Sequence, residues 1–263
     1  MLRALYTAAT GSQSQQFNID VIANNIANVN TSGYKKARAE FEDLLSQTYS
    51  VAGALNDQGI LDPVGVQVGL GVKVSATQRI FLPGSTMQTG NPLDLAIQGD
   101  GFFQVTTDSG EIAYTRDGSF KKDANGTVVT SDGYPVQPTI TIPADATDIV
   151  VGLNGTVSIR QAGSSDLTQV GQIQLARFAN PAGLESIGRN LFSQTSASGT
   201  AVQGSAGQGE FSKTTVMQGF VEGSNVQVVE ELINLITAQR AFEANSKVIQ
   251  ASDEILKTSN NTI

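Results

Sequence analysis

The sequence predicts an α+β fold: long N- and C-terminal helices paired as a coiled-coil-like inner domain, with an antiparallel, hairpin-rich β domain inserted between them. Three observations predict it. Apolar residues step by three and four over the first thirty positions, and they recur at strict sevens from Val228 to Leu256. Between these ends the period falls to two, and Asx-Gly pairs punctuate the chain. The length of 263 residues suits one large domain or two modest ones, at roughly 150 residues per domain.

The N-terminal period runs through Leu2, Leu5, Ala9, Ser12, Gln16, Ile19, Ala23 and Ile26. Steps alternating between three and four place these positions along one seam of a helix, and half of them are Ala, Ser or Gln, which makes the seam narrow and suited to close backbone approach. Phe17, Val21, Ile22 and Val29 lie off the seam, so this helix has more than one adhesive face. Toward the other end, Val228, Leu235, Phe242, Ile249 and Leu256 recur at sevens, with Leu232 and Ala238 beside them and a second row of Ala241, Val248 and Ile255. Glu230 and Glu231 occupy the first turn, where the helix dipole favours anions, and Asp253/Lys257 is an i,i+4 pair with the acid first. A helix over 225–257 would be roughly 50 Å long at 1.5 Å per residue, against an average of about 11–12 residues for globular helices.

Period-two segments at Val66–Val68, Val72–Val74, Leu93–Ile97, Thr139–Ile142 and Gln172–Leu175 predict half-buried strands. Asp100-Gly101, Asp117-Gly118, Asn125-Gly126, Asp132-Gly133 and Asn154-Gly155 supply the positive φ angles of tight hairpin turns. Ser196–Gly209 is uncharged and rich in Gly, Ser and Ala, and reads as an exposed flexible loop. Ser46–Gly65 fits neither period, and a connection beyond about 12–15 residues is usually functional or disordered. The resulting organisation is a helical inner-wall domain of 1–34 plus 225–263, a connecting segment of 35–65 plus 210–224, and a β-rich outer domain of 66–209.

Composition excludes much ordinary enzyme chemistry. Without Cys, His or Trp the chain builds no Cys/His zinc site, no thiol nucleophile, no disulfide and no imidazole-based triad. An enzyme would have to work with 24 acidic residues, and those fall mostly in Asx-Gly turns or on the C-terminal helix surface rather than as an evident glycosidase pair. Gly99–Phe103 and Gly204–Gly209 lack the flanking residues of phosphate loops. No catalytic, cofactor or metal residue is therefore expected. A net charge of −8 argues against nucleic acid, and no run reaches the roughly 18 apolar residues of a membrane span. No charged-then-apolar leader is visible at the N-terminus, so a cleaved Sec-type signal is not expected.

The stretch Ala23–Lys35 holds four Asn in seven residues, a poor helix interior. Asn amides cap backbone groups or bridge to neighbouring chains, and Gly33 suits a left-handed turn from which Tyr34 and Lys35 leave in a new direction.

Residues 15–35 resemble the N-terminal signature of the bacterial flagellar rod and hook family. Glu222–Val226, Val229–Leu232 and Ala238–Lys247 are similar to its C-terminal signature, and Leu93–Val105 and Tyr114–Phe120 to the start of its β domain. Within the family, Ala37–Leu45, Gln47–Tyr49 and Gly183–Gly188 resemble the subunits of the straight distal rod, with proximal rod and hook subunits as the alternatives. Outside it, the alternative is a stand-alone coiled-coil adaptor. Ala52-Gly53 stands where the family has Pro-Gly, and Phe242 where it has Tyr.

The resemblance implies a homo-oligomeric helical tube in the periplasm-spanning basal body. Its implied partners are proximal rod and hook subunits, the P- and L-ring proteins, the flagellar export apparatus and the rod cap. It implies a helix assembly interface of Leu5, Ile19, Ile26, Val228, Leu235, Phe242, Ile249 and Leu256. The signature residues it marks are Asn24, Asn25, Asn28, Gly33, Tyr34, Asn225, Gln239, Arg240 and Asn245. The long connection, with Tyr49, Leu55, Ile60 and Leu61, is expected to be buried between subunits and to stiffen the tube.

Overall fold

A computed structural model describes residues 2–53, 63–163 and 166–261. The chain divides into two compact units. A helical unit comprises 1–26, 37–78 and 227–263, and a β unit comprises 27–36 and 79–226. Val66–Gln78, expected in the β domain, group with the helices because their strands pair with Ala37–Ser50.

In the helical unit, α1 spans Leu2–Ala27 and α2 spans Val228–Asn261. The more buried side of α2 is Glu231, Leu235, Ala238, Asn245, Ile249, Ser252 and Leu256, with Phe242 at its margin. These positions alternate by four and three, but one of the two rows is small or polar where the sequence suggested aliphatics. The expected second row is exposed at Val248 and Ile255. On α1 the seam keeps its spacing with the steps exchanged. Leu5, Ala8, Ser12, Gln15, Ile19, Ile22 and Ile26 are buried or half-buried, whereas Leu2, Ala9, Gln16 and Ala23 are exposed. Ile22 decides the phase, because turning its side chain inward removes far more apolar surface from water than burying Ala23 would.

Two short β pairs complete this unit. Strand β1 (Ala37–Asp43) pairs with β4 (Val72–Arg79), and β2 (Gln47–Ser50) pairs antiparallel with β3 (Val66–Val68). The 46–65 connection, which showed no period, is thus drawn together at its base. Its residues 54–62, including Leu55, Ile60 and Leu61, lie outside the described residues. Val66–Val68 were expected to be half-buried, yet all three residues are exposed, since among the described residues no second layer covers this strand pair.

The β unit centres on a six-stranded antiparallel sheet in the order Glu185–Gly188, Leu191–Ser193, Ile112–Thr115, Phe102–Thr106, Leu175–Arg177, Val202–Gly204. A three-stranded antiparallel meander of Ala146–Val151, Thr156–Gln161 and Leu167–Gln172 contributes Val151, Val157 and Ile159 to the same core as Phe103, Val105, Ile140 and Leu175. A second cluster gathers Phe102, Tyr114, Phe178 and Phe192 edge to face. Gly126, Gly133 and Gly155 take positive φ at hairpin turns, as their Asx-Gly pairs predict. Asp117-Gly118 does not. Gly118 is needed instead for close packing, since a Cβ there would lie 1.6 Å from the Leu95 carbonyl oxygen. The left-handed residues Arg189 and Asn190 turn the hairpin between Glu185–Gly188 and Leu191–Ser193, a turn without an Asx-Gly pair. Ser196–Gly209, expected to be an exposed loop, supplies the edge strand Val202–Gly204 and fully buries Ser198 and Ala206.

Candidate functional site

Three segments that carry motifs in the sequence meet inside the β unit around one buried carboxylate. Lys35 follows the left-handed turn at Gly33, Arg116 follows the strand Ile112–Thr115, and Glu222 ends the strand Phe220–Glu222. Their side chains are 0%, 2% and 1% exposed. The Lys35 ammonium lies 2.6 Å from Glu222 Oε1 and donates to the Leu82 carbonyl at 2.8 Å. Arg116 reaches Glu222 Oε2 at 3.3 Å and the Gly99 carbonyl at 2.8 Å, with its guanidinium 5.4 Å from the centre of the Phe102 ring. The Gly84 N–H donates to Glu222 Oε1 at 2.9 Å. Two cations share one anion, and burial pushes both Lys35 and Arg116 below their ordinary pKa values despite the pull of Glu222. Buried charges are rarely retained unless paired in this way, because the alternative is an uncompensated ion in a poorly polarisable interior.

Gly33 makes the approach to this cluster possible. Its φ is +68°, its N–H donates to the Glu222 carbonyl at 2.7 Å, and a Cβ would lie 2.5 Å from the Asp117 nitrogen. Tyr34 beside it is buried, with the Arg79 guanidinium 5.7 Å from its ring centre.

Two asparagines act as backbone surrogates. Asn225 accepts from the Lys36 N–H at 2.7 Å and donates to the Ile80 carbonyl at 2.8 Å, within the β unit. In the helical unit Asn25 accepts from the Ala37 N–H at 2.9 Å and donates to the Ala37 carbonyl at 2.8 Å. An amide side chain presents the same donor and acceptor pair as a neighbouring strand, so each asparagine satisfies groups where no strand can lie. Asn25 Nδ2 also lies 3.3 Å from Glu231 Oε2 on α2. A Cβ on Gly11 of α1 would come within 2.8 Å of Asn245 Nδ2. Glu231, read from the sequence as a solvated dipole partner, is in fact 4% exposed.

The remaining expected residues divide. Asn24, Gln239 and Arg240 are exposed, while Asn28 is half-buried at the turn after α1. Leu5, Ile19, Ile26, Leu235, Ile249 and Leu256 lie on the half-buried helix sides, whereas Val228 is 40% exposed. Tyr49 is exposed, with the Arg3 guanidinium 5.1 Å from its ring centre. Lys35, Arg116 and Glu222 were not singled out as site residues. Nothing in their spacing joins positions 35, 116 and 222, although each sits inside a quoted motif of a charge-poor chain.

The exposed apolar side chains are distributed unevenly. Val229, Leu232, Ile233 and Ile236 form a continuous exposed row on the first turns of α2, and Leu2, Tyr6 and Phe17 are exposed on α1. Among the described residues no group of three or more metal-ligating side chains occurs, and no helix is long and apolar enough to cross a membrane.

A β unit closed around its own core, joined in one chain to terminal helices that leave apolar faces uncovered, defines a structural subunit built to associate. Comparison with known proteins gives the particular case. The family model described as "Flagella basal body rod protein" matches residues 5–35, "Flagellar hook protein FlgE/F/G D1 domain" matches 96–159, and "Flagellar basal body rod FlgEFG protein C-terminal" matches 217–262. The flagellar basal-body rod protein FlgG of Borreliella burgdorferi is 48% identical over 263 residues, covering 99% of this chain and 98% of that one. FlgG of Agrobacterium fabrum is 51% identical over 256 residues, 97% of each chain. The flagellar hook protein FlgE of Helicobacter mustelae is 49% identical over 138 residues, 52% of this chain and 30% of that protein. The chain belongs to the FlgG family of flagellar basal-body rod proteins, the distal rod subunits.

Proposed function

We propose that copies of this chain assemble into the straight, hollow distal rod, a drive shaft that transmits torque to the hook and passes through the P and L rings. The observation that carries the reading is the uncovered apolar row Val229, Leu232, Ile233 and Ile236 on a helix whose opposite side already faces α1. Contacts between unlike surfaces that do not close on themselves propagate as helical filaments.

The inner wall of this tube is an antiparallel coiled-coil-like pair of α1 and α2. Two contacts support that register: Gly11 lies against Asn245, and Asn25 against Glu231. From one contact to the other the positions advance along α1 by as many residues as they retreat along α2. Leu5, Ile19, Ile26, Leu235, Phe242, Ile249 and Leu256 pack along this pair, and Val228 faces a neighbouring subunit. Of the signature, Asn25, Gly33, Tyr34, Asn225 and Asn245 shape the subunit, while Asn24, Gln239 and Arg240 face other copies. Segments 1–34 and 225–263 form the wall, 66–209 supply most of the outer surface, and 35–65 with 210–224 join them. The hairpin rooted at Tyr49 stiffens the tube by reaching an axially adjacent subunit. Its exposed side chains Tyr49, Val51, Val64, Val66 and Val68 support that role. Proximal rod, hook, ring, export and cap proteins are the partners of the assembled rod.

Electron microscopy of the purified protein under polymerising conditions is the test. Straight tubes support the reading. Curved tubes would favour a hook subunit, and a monodisperse species under every condition would favour a stand-alone adaptor.

A further inference from the structure

The chain passes between its two units at four places, after residues 26, 36, 78 and 226. Within the β unit, the segments beside three of these passages, 33–36, 79–84 and 222–226, are bonded to one another. The Lys36 N–H reaches Asn225 Oδ1 at 2.7 Å, Asn225 Nδ2 reaches the Ile80 carbonyl at 2.8 Å, and the Ile80 N–H returns to the Lys36 carbonyl at 2.9 Å. That is a closed ring of three bonds through three segments. A second ring lies beside it. Lys35 Nζ joins Glu222 Oε1 to the Leu82 carbonyl, and the Gly84 N–H returns to the same Oε1. Arg79 Nη1 adds a bond to the Lys35 carbonyl at 3.1 Å. Arg116 then ties Glu222 to Gly99 and stands against Phe102, a residue of the six-stranded sheet.

We propose that Asn225 and the Lys35–Glu222–Arg116 cluster form a clasp that makes these three segments a single mechanical element rooted in the sheet. This rests on the reading that the assembled chain bears load. Force arriving on any one segment is then shared by all three and delivered through Arg116 to the sheet. The chemistry of the cluster suits this purpose better than it suits stability. A buried ion cluster is often no more stabilising than apolar residues of the same shape. Apolar contacts are, however, non-directional and slide at little cost, whereas hydrogen bonds, the charge-assisted Lys35–Glu222 contact above all, constrain both distance and angle. Positions 35, 116, 222 and 225 act as positioning residues, each working through the segment it holds.

Amide hydrogen exchange on the full-length monomer tests the clasp without requiring polymerisation, so its result is independent of whether the protein forms rods. The amides of Gly33, Lys36, Ile80 and Gly84 report on it, and those of Phe102–Thr106 report on the core. In Asn225→Ala, only the Lys36 amide loses its direct acceptor. The clasp requires all four reporter amides to exchange at least tenfold faster, Ile80 and Gly84 included, while the core strand stays within twofold. Glu222→Gln should give the same pattern from the other ring. Faster exchange at Lys36 alone would reduce the network to separate pairwise bonds and overturn the proposal. Equal acceleration of the core strand in Asn225→Ala would overturn it too, by making the cluster an ordinary part of core stability.

Discussion

The β unit and the helical unit solve the burial problem in opposite ways. Phe103, Val105, Ile140, Leu175 and Val216 in the β unit are at most 1% exposed and belong to one contiguous cluster. In the helical unit, the only buried apolar residues among those described are Ala8, Ile22, Ala39 and Ala238. Many of its larger side chains, Leu2, Tyr6, Ile233 and Ile236 among them, are exposed, and others such as Leu5, Ile19, Leu235 and Ile249 are only half-buried. Helices gain most of their stability in proteins from packing an apolar face rather than from intrinsic propensity, so the proposed assembly would supply burial that the helical unit lacks in the single chain. On the proposed assembly, one chain combines a unit with its own closed core and a unit that would complete its burial in the polymer. The ion pairs differ as well, although Glu231 of the helical unit is buried and the Arg160–Asp148 pair of the β unit is exposed. Lys35, Arg116 and Glu222 are internal to the β unit, whereas the Lys73–Glu42 and Lys257–Asp253 pairs of the helical unit stand in solvent.

The contrast can be broken from either side. The largest effect is expected from Ile233→Asp combined with Ile236→Asp. Both side chains are at least half exposed in the single chain, so the unfolding free energy of the monomer should change by no more than about 0.5 kcal/mol per site. Polymerisation, read by sedimentation and microscopy, should nevertheless be abolished. Rods formed normally by this variant would show that the row is not an assembly surface. The converse substitution is Phe103→Ala. It empties a fully buried site that packs edge to face on Phe120, at a cost of about 3–5 kcal/mol in urea unfolding of the β unit. A loss below about 1 kcal/mol would mean that this core is far looser than its burial indicates.

The smallest effect belongs to Glu42. Its carboxyl is held below the usual carboxylate range, first by the hydrogen bond it accepts from Lys73 and then by that from Ser75. A depressed acid contributes stability above its unfolded pKa and loses it as the pH falls through the folded value. Acidification from pH 5 should therefore weaken the β1–β4 pair slightly, and Lys73→Ala should flatten that dependence. Because the pair is exposed, 0.5 M salt should shrink the difference between the two proteins. A difference that grows with salt would rule out this ion pair as its source.

Sequence and structure agree best where a repeating signal has a single interpretation. The alternation and Asx-Gly turns locate Asn125-Gly126, Asp132-Gly133 and Asn154-Gly155 correctly, because each dipeptide needs only local backbone freedom to form its turn. The α1 seam was legible as a spacing but not as a phase. Ala9 and Ala8 are equivalent to a pattern, and only packing makes Ile22 the inward residue. Asn25 was recognisable as a group able to cap backbone, since amides in poor helical context need such partners, whereas Asn225 was marked only by the family resemblance. The Lys35–Glu222–Arg116 cluster was not legible at all. Its members are 81 and 106 residues apart in successive steps, and a buried ion has the same letter as a solvated one. Gly118 was misjudged for a related reason: its role is a close approach to Leu95, which no local rule encodes.

The central claim, that the helical unit completes its folding by assembly while the β unit does not, is tested most directly by amide hydrogen exchange measured on the same protein as monomer and as polymer. The expected result is that the amides of α1 and α2 exchange quickly in the monomer and become strongly protected in the polymer, while the strands Phe102–Thr106 and Leu175–Arg177 are protected equally in both. Helices as well protected as those strands in a protein proven to be monomeric would contradict it.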